Sequence, residues 1–172
     1  METATPNNQG KPKEQGEAFP QEAQDFFALL VRVLRGRRFQ RGLLDDRLQI
    51  SVEPKDLEDI CRLLKEDPRT NFKILLCIAA VDYIDYIQMV YVLLSPEHER
   101  ILGVKMDLSY KDLTVSTLSG IWRAADWYER EAHDLFGVDF KGHPDLSPLL
   151  LYEGFEGFPG RKEFPFHEYD EY

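Results

Sequence analysis

The chain has 172 residues and a formal net charge of −10 at pH 7, with 43% hydrophobic and 30% charged residues. This length favours one globular domain with a core over two domains, and the negative charge argues against nucleic-acid binding because it repels the phosphate backbone. Two cysteines, Cys61 and Cys77, are too few for a four-cysteine iron–sulfur site or a disulfide framework, and we expect both to be buried thiols.

The N-terminal segment resembles neither a signal peptide nor a folded element. Met1 to Pro20 is rich in Pro, Gly, Asn, Gln, Lys and Glu, which predicts a flexible tail, and it lacks the apolar core of a secretory signal. The most apolar run, Ile74 to Leu94, is interrupted by Asp82, Asp85 and Gln88, so it is not typical of a membrane span. We therefore expect any membrane association to come through a partner.

Hydrophobic periodicity predicts alternating helices and strands from residue 21 onwards. The predicted elements are a helix over Gln21–Arg35 ended by Gly36, a strand over Leu48–Val52, a helix from Pro54 to Asp67-Pro68, strands within Phe72–Asp82, Ile87–Leu94 and Ile101–Leu108, and a helix from Leu118, capped by Thr117, to Leu135. The segment Tyr110 to Val115 is expected to be irregular. Short links between the last three strands favour an antiparallel meander.

The resulting fold class is α+β, with a mostly antiparallel sheet packed with about three helices and followed by an extended C-terminal arm. The domain is expected to span residues 21–144 and the arm residues 145–172. Periodicity disappears after Gly142, and Pro144, Pro148, Pro159 and Pro165 oppose regular helix or central strand there.

Arginines concentrate near the end of the first helix of this acidic chain. The cluster consists of Arg32, Arg35, Arg37, Arg38 and Arg41. Two interpretations stay open: a solvated helix end, or a basic patch that docks a partner.

The segment Trp127–His143 is dense in charged and aromatic residues. On a helix Arg130 would meet Asp134, and Glu129 would meet His133, because each pair is four residues apart. Gly137 and Gly142 permit positive φ, and therefore two sharp bends, around Val138–Phe140. Because exposed ion pairs contribute only about 0–1 kcal/mol, such a segment is more plausibly a contact surface than a stabilising device.

A catalytic interpretation of the same segment uses its carboxylates and imidazoles. Glu131, His133, Asp134 and His143 could ligate a metal, although no H-E-x-x-H pattern is present. An acid–base pair of His133 with Glu129 lacks a nucleophile motif or a phosphate-binding glycine loop beside it. The alternative function is therefore a stand-alone metal-dependent enzyme built around Glu131, His133 and His143.

The segment resembles the signature of a known family, the 30-kDa subunit of respiratory complex I (NADH-quinone oxidoreductase), also called the C subunit, with its chloroplast and cyanobacterial counterpart, the J subunit. The matching residues of the first motif are Glu129, Arg130, Glu131, Asp134, Leu135, Phe136, Gly137, Phe140, Gly142, His143, Pro144 and Leu146. A second motif runs from Gly157 to Pro165 and includes Arg161 and Lys162. With the strand pair around Ala80–Tyr83 and Val90–Leu93, the resemblance spans Phe72 to Pro165.

The chain departs from the family pattern at two places. Ser147 and Pro148 stand where the family usually has one or two arginines, and Phe158 and Gly160 stand where it usually has histidine and leucine. These departures concern partner details and the type of complex.

The resemblance implies a non-catalytic scaffolding subunit without a cofactor of its own, in the hydrophilic arm of a proton-translocating NADH (or ferredoxin):quinone oxidoreductase. It implies packing on the 49-kDa-type subunit, also called the D subunit, next to the quinone site, with FMN and iron–sulfur clusters on other subunits and quinone contacted only through the complex. It also implies a peripheral position on the cytoplasmic, matrix or stromal face of an energy-transducing membrane. Related complexes fed by ferredoxin or coenzyme F420, and membrane-bound hydrogenases, stay open.

Partner contact is expected to involve the motif residues and the arm. The expected interface residues are Glu129, Arg130, Glu131, Asp134, Phe136, Gly137, Gly142, His143, Pro144, Arg161 and Lys162. The arm carries many apolar side chains that water disfavours, so we expect a partner to order it. The alternative is an arm that folds back over its own sheet.

Overall fold

The computed structural model describes residues 19–44 and 47–165. Most of the predicted N-terminal tail and residues 166–172 of the predicted arm lie outside this range. The first helix, α1, spans Gln21–Val33 and turns one apolar face inward, and Gly36 (φ 82°) follows its end as expected.

Five strands form the main sheet in the order β1-β2-β5-β4-β3. They are β1 (Phe39–Leu44), β2 (Arg47–Val52), β3 (Ile74–Asp82), β4 (Tyr86–Ser95) and β5 (Arg100–Ser109). The predicted antiparallel meander of β3, β4 and β5 is confirmed, and β1 pairs with β2 in antiparallel fashion. The β2–β5 pair is parallel, so the sheet is mostly antiparallel.

The hydrophobic core lies between α1, α2 (Leu57–Glu66) and one face of the sheet. In β4 every second residue is buried, including Met89 and Tyr91, which is the period-two pattern of a strand with one covered face. Pro54 begins a 3₁₀ turn, Pro54–Asp56, rather than α2 itself. The missing N–H of a proline is tolerated at such a start.

The strand β1 was not predicted from the sequence. Arg41 and Gly42 interrupt its apolar pattern, and both are unfavourable in a strand interior, which explains the omission. The register with β2 compensates, because Leu43 is buried opposite Leu48. Arg41 therefore lies on an edge strand and does not belong to a helix end.

The last helix, α3 (Ala125–Phe136), begins later than the predicted Leu118. Thr117 does not cap α3, because the residue at the N-cap position is Ala124; the Thr117 hydroxyl oxygen accepts the Ser119 N–H in a local turn instead. The segment expected to be irregular contains β6 (Thr114–Ser116), which pairs in parallel with β7 (Asp139–Lys141). Within the described residues no helix is long and apolar enough to cross a bilayer.

Candidate functional site

The helix α3 and the turn that ends it form the scaffold of the family motif. Gly137 adopts the left-handed conformation (φ 72°) and its N–H bonds the His133 carbonyl oxygen at 2.8 Å, so the helix ends there. Val138 and Phe140 then enter the core, and Gly142 (φ 82°) makes the second predicted bend. These turns direct the chain back along α3.

The C-terminal arm is fixed to α3 by the carboxylate of Asp134. Its Oδ2 accepts the backbone N–H groups of Leu149 (2.9 Å), Leu150 (2.7 Å) and Leu151 (3.0 Å). Burial raises the pKa of Asp134, but these three hydrogen bonds outweigh it, and the pKa lies below its usual range. The carboxylate therefore stays ionised and holds one turn of the arm.

Arg130 binds the preceding turn of the arm. Its guanidinium donates to the Ser147 carbonyl and hydroxyl oxygens and to the Pro148 carbonyl, each at 3.2 Å, and lies 5.7 Å from the centre of the Trp127 ring. The predicted Arg130–Asp134 ion pair does not occur among the described residues. Each side chain binds backbone groups of the arm, whose N–H and C=O groups would otherwise be unpaired near the surface.

The second motif binds the opposite end of α3 through Arg161. The guanidinium Nε donates to the Phe136 carbonyl at 2.8 Å, which provides a partner for a carbonyl at the helix end. The same group lies over the rings of Phe158 (4.2 Å) and Tyr110 (5.2 Å). Arg161 is thus held by these contacts and by an ion pair with Glu163 at 3.6 Å, all within its own chain.

Two glycines allow this close approach of the arm to α3. The N–H of Gly160 donates to the Leu135 carbonyl at 2.9 Å, and a Cβ at Gly160 would lie 2.7 Å from the Phe136 ring. A Cβ at Gly137 would lie 2.6 Å from the Phe158 ring. The departures Phe158 and Gly160 from the family pattern therefore each fit against the C-terminal end of α3.

A buried carboxylate that the sequence analysis did not select, Asp82, joins the arm to the β3–β4 hairpin. Its Oδ1 accepts the N–H of Ile84 at 2.6 Å and its Oδ2 accepts the N–H of Lys162 at 2.7 Å. Burial raises the pKa of Asp82, but these bonds and one from Tyr110 outweigh it, so the pKa is lowered. An aspartate ending an apolar strand was the signal available in the sequence.

The N-terminal half of α3 carries a fully buried glutamate, Glu129. Its carboxylate accepts the Leu118 N–H at 2.6 Å and the Thr117 hydroxyl. Burial raises the pKa of Glu129 to about 7, against the lowering effect of these two bonds, and the nearby Asp126 raises it further. Glu129 therefore fixes the β6–α3 loop to the helix.

The side chain of His143 is fully buried beside this glutamate. Its Nε2 lies 3.9 Å from Glu129, 3.6 Å from the Asp126 carboxylate and 3.3 Å from the Asp126 carbonyl oxygen. Because Nδ1 accepts the N–H of Asp145 at 3.1 Å, the proton of the neutral ring resides on Nε2. His143 thereby links the root of the arm to α3.

The remaining motif residues do not converge on a catalytic centre. His133 Nδ1 contacts the Val138 carbonyl at 2.9 Å and does not pair with Glu129, while Glu131 and Pro144 are exposed. Within residues 19–44 and 47–165 no three His, Cys, Asp or Glu side chains come together as a metal site. The structure therefore does not assemble Glu131, His133 and His143.

The cysteines also lie apart from any such group. Burial raises the pKa of the Cys61 thiol far above its usual range, whereas Cys77 is only half-buried, contrary to expectation.

Between residues 145 and 165 the arm lies against its own domain, through the contacts of Arg130, Asp134, Arg161 and Asp82. The alternative to an arm ordered by a partner was an arm folded over the sheet; the described part of the arm instead contacts α3 and the end of β3, and ordering by a partner stays a prediction. The outward side of the arm and of α3 still presents apolar side chains, which we term the arm surface. It consists of Trp127 (63% exposed), Leu150 (60%), Tyr152 (71%) and Phe158 (36%).

Comparison with known proteins identifies the family. The model of the family described as "Respiratory-chain NADH dehydrogenase, 30 Kd subunit" matches residues 50–170. The second NADH-quinone oxidoreductase C subunit of Rhizobium meliloti is 41% identical over 122 residues, which cover 69% of this chain and 66% of the relative. Its counterpart in Rhizobium etli is 40% identical over 122 residues, which cover 69% of this chain and 65% of the relative. The chain thus spans slightly less than two thirds of these relatives.

Two solved structures are similar in fold. One, from an archaeal respiratory membrane complex called membrane-bound sulfane sulfur reductase, has a TM-score of 0.72 at 27% identity, and covers 84% of this chain and 86% of its own. The other is a trypsin-resistant fragment (1–134) of Nqo5, with a TM-score of 0.57 at 25% identity. The match covers 72% of this chain and 99% of the fragment. The chain belongs to the 30-kDa subunit family of the respiratory-chain NADH dehydrogenase.

Proposed function

We propose that this chain is a non-catalytic scaffolding subunit in the hydrophilic arm of a proton-translocating NADH (or ferredoxin):quinone oxidoreductase. It packs on the 49-kDa-type subunit next to the quinone site and contacts neighbouring iron–sulfur subunits. It is peripheral to an energy-transducing membrane, on the cytoplasmic, matrix or stromal face, and reaches the membrane and quinone only through the complex. Family membership and the names of the relatives support this assignment.

The proposal is supported mainly by what the motif residues bind. Arg130, Asp134 and Arg161 are engaged with the chain's own arm, while Trp127, Leu150 and Tyr152 are left in solvent. A segment without helix or strand is thus held in one conformation with some of its large apolar side chains outward, among them Leu150 and Tyr152. Preorganisation of this kind reduces the entropy that is lost on binding, and aromatic residues are typical anchors of protein interfaces.

The chain is proposed to bind no cofactor itself, while FMN and iron–sulfur clusters reside on other subunits. The side chains that could ligate a metal already bind backbone groups or face solvent, which supports this part. Elemental analysis and a visible spectrum of the purified subunit test it. About one iron or zinc per chain would contradict it and would favour the stand-alone enzyme.

Assembly of the complex tests the interface. Leu150→Asp places a charge on the arm surface, whereas the control Val31→Asp places the same charge at an equally exposed site (59%) on α1. Both variants should fold, because neither side chain belongs to the core. We expect Leu150→Asp to reduce the yield of assembled complex on a native gel at least several-fold, and Val31→Asp to leave it unchanged.

Two outcomes would count against this interface. Normal assembly of Leu150→Asp would show that the arm surface is not an essential contact. Equal loss for both variants would point to a general effect of added charge. Residue-level cross-links from the arm to a protein other than the 49-kDa-type subunit would contradict the proposed partner but would remain consistent with a scaffolding role.

A second candidate is a subunit of a related membrane-bound respiratory complex with another electron donor or acceptor. It is supported by the fold shared with the archaeal sulfane sulfur reductase structure over 84% of this chain. Activity of the purified native complex separates the two candidates. Quinone reduction by NADH favours the first, and activity only with ferredoxin or with a sulfur substrate favours the second.

A further inference from the structure

The two edge strands of the main sheet, β3 and β1, differ in how far other described residues cover them. At β3 a bulge between Leu75 and Cys77 disturbs the ladder, and the Tyr128 hydroxyl donates to the Leu76 carbonyl at 2.8 Å. The arm also binds the end of β3 through Asp82. Bulges and covering segments are devices that prevent a sheet edge from pairing with another strand.

At the other edge, β1, no described residue forms such a cover. It pairs with β2 along its whole length, Phe39–Leu44, and is the terminal strand of the sheet. No backbone hydrogen bond joins its outer side to another described residue. In an antiparallel edge strand about half of the N–H and C=O groups point away from the neighbour, so β1 presents a row of donors and acceptors that have no backbone partner within residues 19–44 and 47–165.

Four arginines lie in or next to β1 in the sequence, and we term them the arginine edge: Arg35 and Arg38 in the link from α1 to β1, Arg41 within β1, and Arg47 at the start of β2. Arg41 lies ~10 Å along the chain from Arg38, and Arg47 pairs with Leu44 at the far end of β1. All four are exposed, and none forms a close ion pair with a described residue, although Arg35 lies near enough to Asp67 to help lower the pKa of that carboxyl group. The neighbouring Arg37 is paired with Asp59 at 2.6 Å.

The charge distribution limits what can occupy this edge. In a chain of net charge −10, a group of exposed cations attracts a negatively charged surface and orients its approach. A second copy of the chain is disfavoured, because pairing of β1 with itself would place arginines against arginines. An acidic strand would satisfy the free backbone groups and the guanidinium groups together.

We propose that the β1 edge binds an extended acidic segment of a neighbouring subunit, which adds a strand to the sheet while its carboxylates pair with the arginine edge. The inference rests on the proposed function only in that the chain works within an assembly. It concerns the edge of the sheet opposite to β3 and the arm, and β1 precedes residue 50, where the family match begins. The alternative is that the arginines only prevent association of the edge.

Hydrogen exchange of the intact complex and of the free subunit tests strand addition. In the free subunit about half of the amides over residues 39–44 should exchange fast, as expected for an edge strand. In the complex nearly all of them should be slowed at least tenfold. Arg38→Glu with Arg41→Glu should remove the added protection, whereas Lys111→Glu with Arg123→Glu carries the same charge change at exposed sites elsewhere and should retain it.

Zero-length cross-linking tests the chemistry of the partner. Arg38→Lys and Arg41→Lys keep the charge and introduce amines that a carbodiimide couples only to carboxylates in direct contact. We expect isopeptide links from both positions to aspartate or glutamate of another subunit. Links confined to this chain, or adducts with carboxylate-bearing lipids, would overturn the proposal.

The remaining outcomes are also decisive. An assembled complex in which half of the β1 amides still exchange fast contradicts this inference and leaves the proposed function intact. Equal protection in the Arg38→Glu, Arg41→Glu complex and in the native complex contradicts the role of the arginines. A chain that never co-purifies with other subunits contradicts both proposals.

Discussion

The carboxylate of Asp134 accepts the backbone N–H of Leu150 at 2.7 Å, across a gap of 16 positions in the sequence. The same oxygen accepts the N–H groups of Leu149 and Leu151. Residues 149–151 belong to no helix or strand, so their N–H groups lack the usual backbone partners. One ionised side chain supplies the acceptor for all three and fixes the position of Leu150 in the arm surface.

Asp134→Asn should release this turn of the arm without unfolding α3. A neutral amide oxygen accepts more weakly than a carboxylate, and hydrogen bonds to charged groups contribute about 1.5–3 kcal/mol. We expect the free energy of unfolding to fall by an amount in that range, and the amides of residues 149–151 to exchange faster in the free subunit. Asp139→Asn, at an exposed position of the same motif, is the control and should change neither.

Sequence spacing predicted which motif side chains lie on the same helix face, but it did not predict their hydrogen-bond partners. Arg130 and Asp134 are four residues apart on one helix face, and spacing alone favours an ion pair. The arm, 15 to 18 residues further on, offers both of them unpaired backbone groups. The path of the arm depends on the positive φ angles of Gly137 and Gly142. Sequence periodicity does not predict the direction that the chain takes after two such bends. The helix end at Gly137, in contrast, was predictable from one residue.

The same contrast applies to the fold. Strands β3, β4 and β5 were evident because each is a long apolar or alternating run, whereas β1 was missed because Arg41 and Gly42 interrupt it. The late start of α3 was not predictable from local pattern, because the Leu118 N–H is bound by the carboxylate of Glu129, 11 positions further on. Asp82 was missed because its partner, Lys162, lies 80 positions away.

Gly160→Ala should separate the arm from the end of α3. Its Cβ would lie 2.9 Å from the Leu135 carbonyl oxygen, which is backbone and cannot move aside without disturbing the helix end. Overpacking of this kind costs about 1–3 kcal/mol. We expect a lower melting temperature and faster proteolysis within residues 150–165. Gly120→Ala has open space around its Cβ and is the matched control; equal effects would refute steric contact as the cause.

The arm should detach from its domain in acid. The pKa values of Asp82 and Asp134 are lowered from the ordinary 3.8, so their contribution to stability is complete above about pH 4 and is lost as the pH falls through the folded values. We expect proteolytic sensitivity of the arm to rise below pH 4, before the far-ultraviolet circular dichroism of the domain changes. In the double variant Asp82→Asn, Asp134→Asn this pH dependence should be absent, with the arm sensitive throughout. A variant that keeps the native pH profile would show that other groups hold the arm.

Glu129 should produce a pH dependence of opposite sign. Its pKa is raised from 4.5 to about 7. Between these values the folded chain keeps a proton that the unfolded chain has released, so the stability it contributes is complete below about pH 4.5 and is lost as the pH rises through about 7. The groups that face it are Asp126, His143 and, from β4, Tyr91.

Glu129→Gln removes the buried charge while keeping an acceptor for the Leu118 N–H. Relative to the native chain, this variant should therefore gain stability between pH 5 and pH 8, by at most about 3 kcal/mol. Urea unfolding of both proteins at pH 5, 6.5 and 8 measures the gain directly. Asp126→Asn is the control: it removes a charge that raises the pKa of Glu129, so it should weaken the pH dependence without abolishing it. A difference between Glu129→Gln and the native chain that stays constant from pH 5 to pH 8 would show that Glu129 does not titrate in this range.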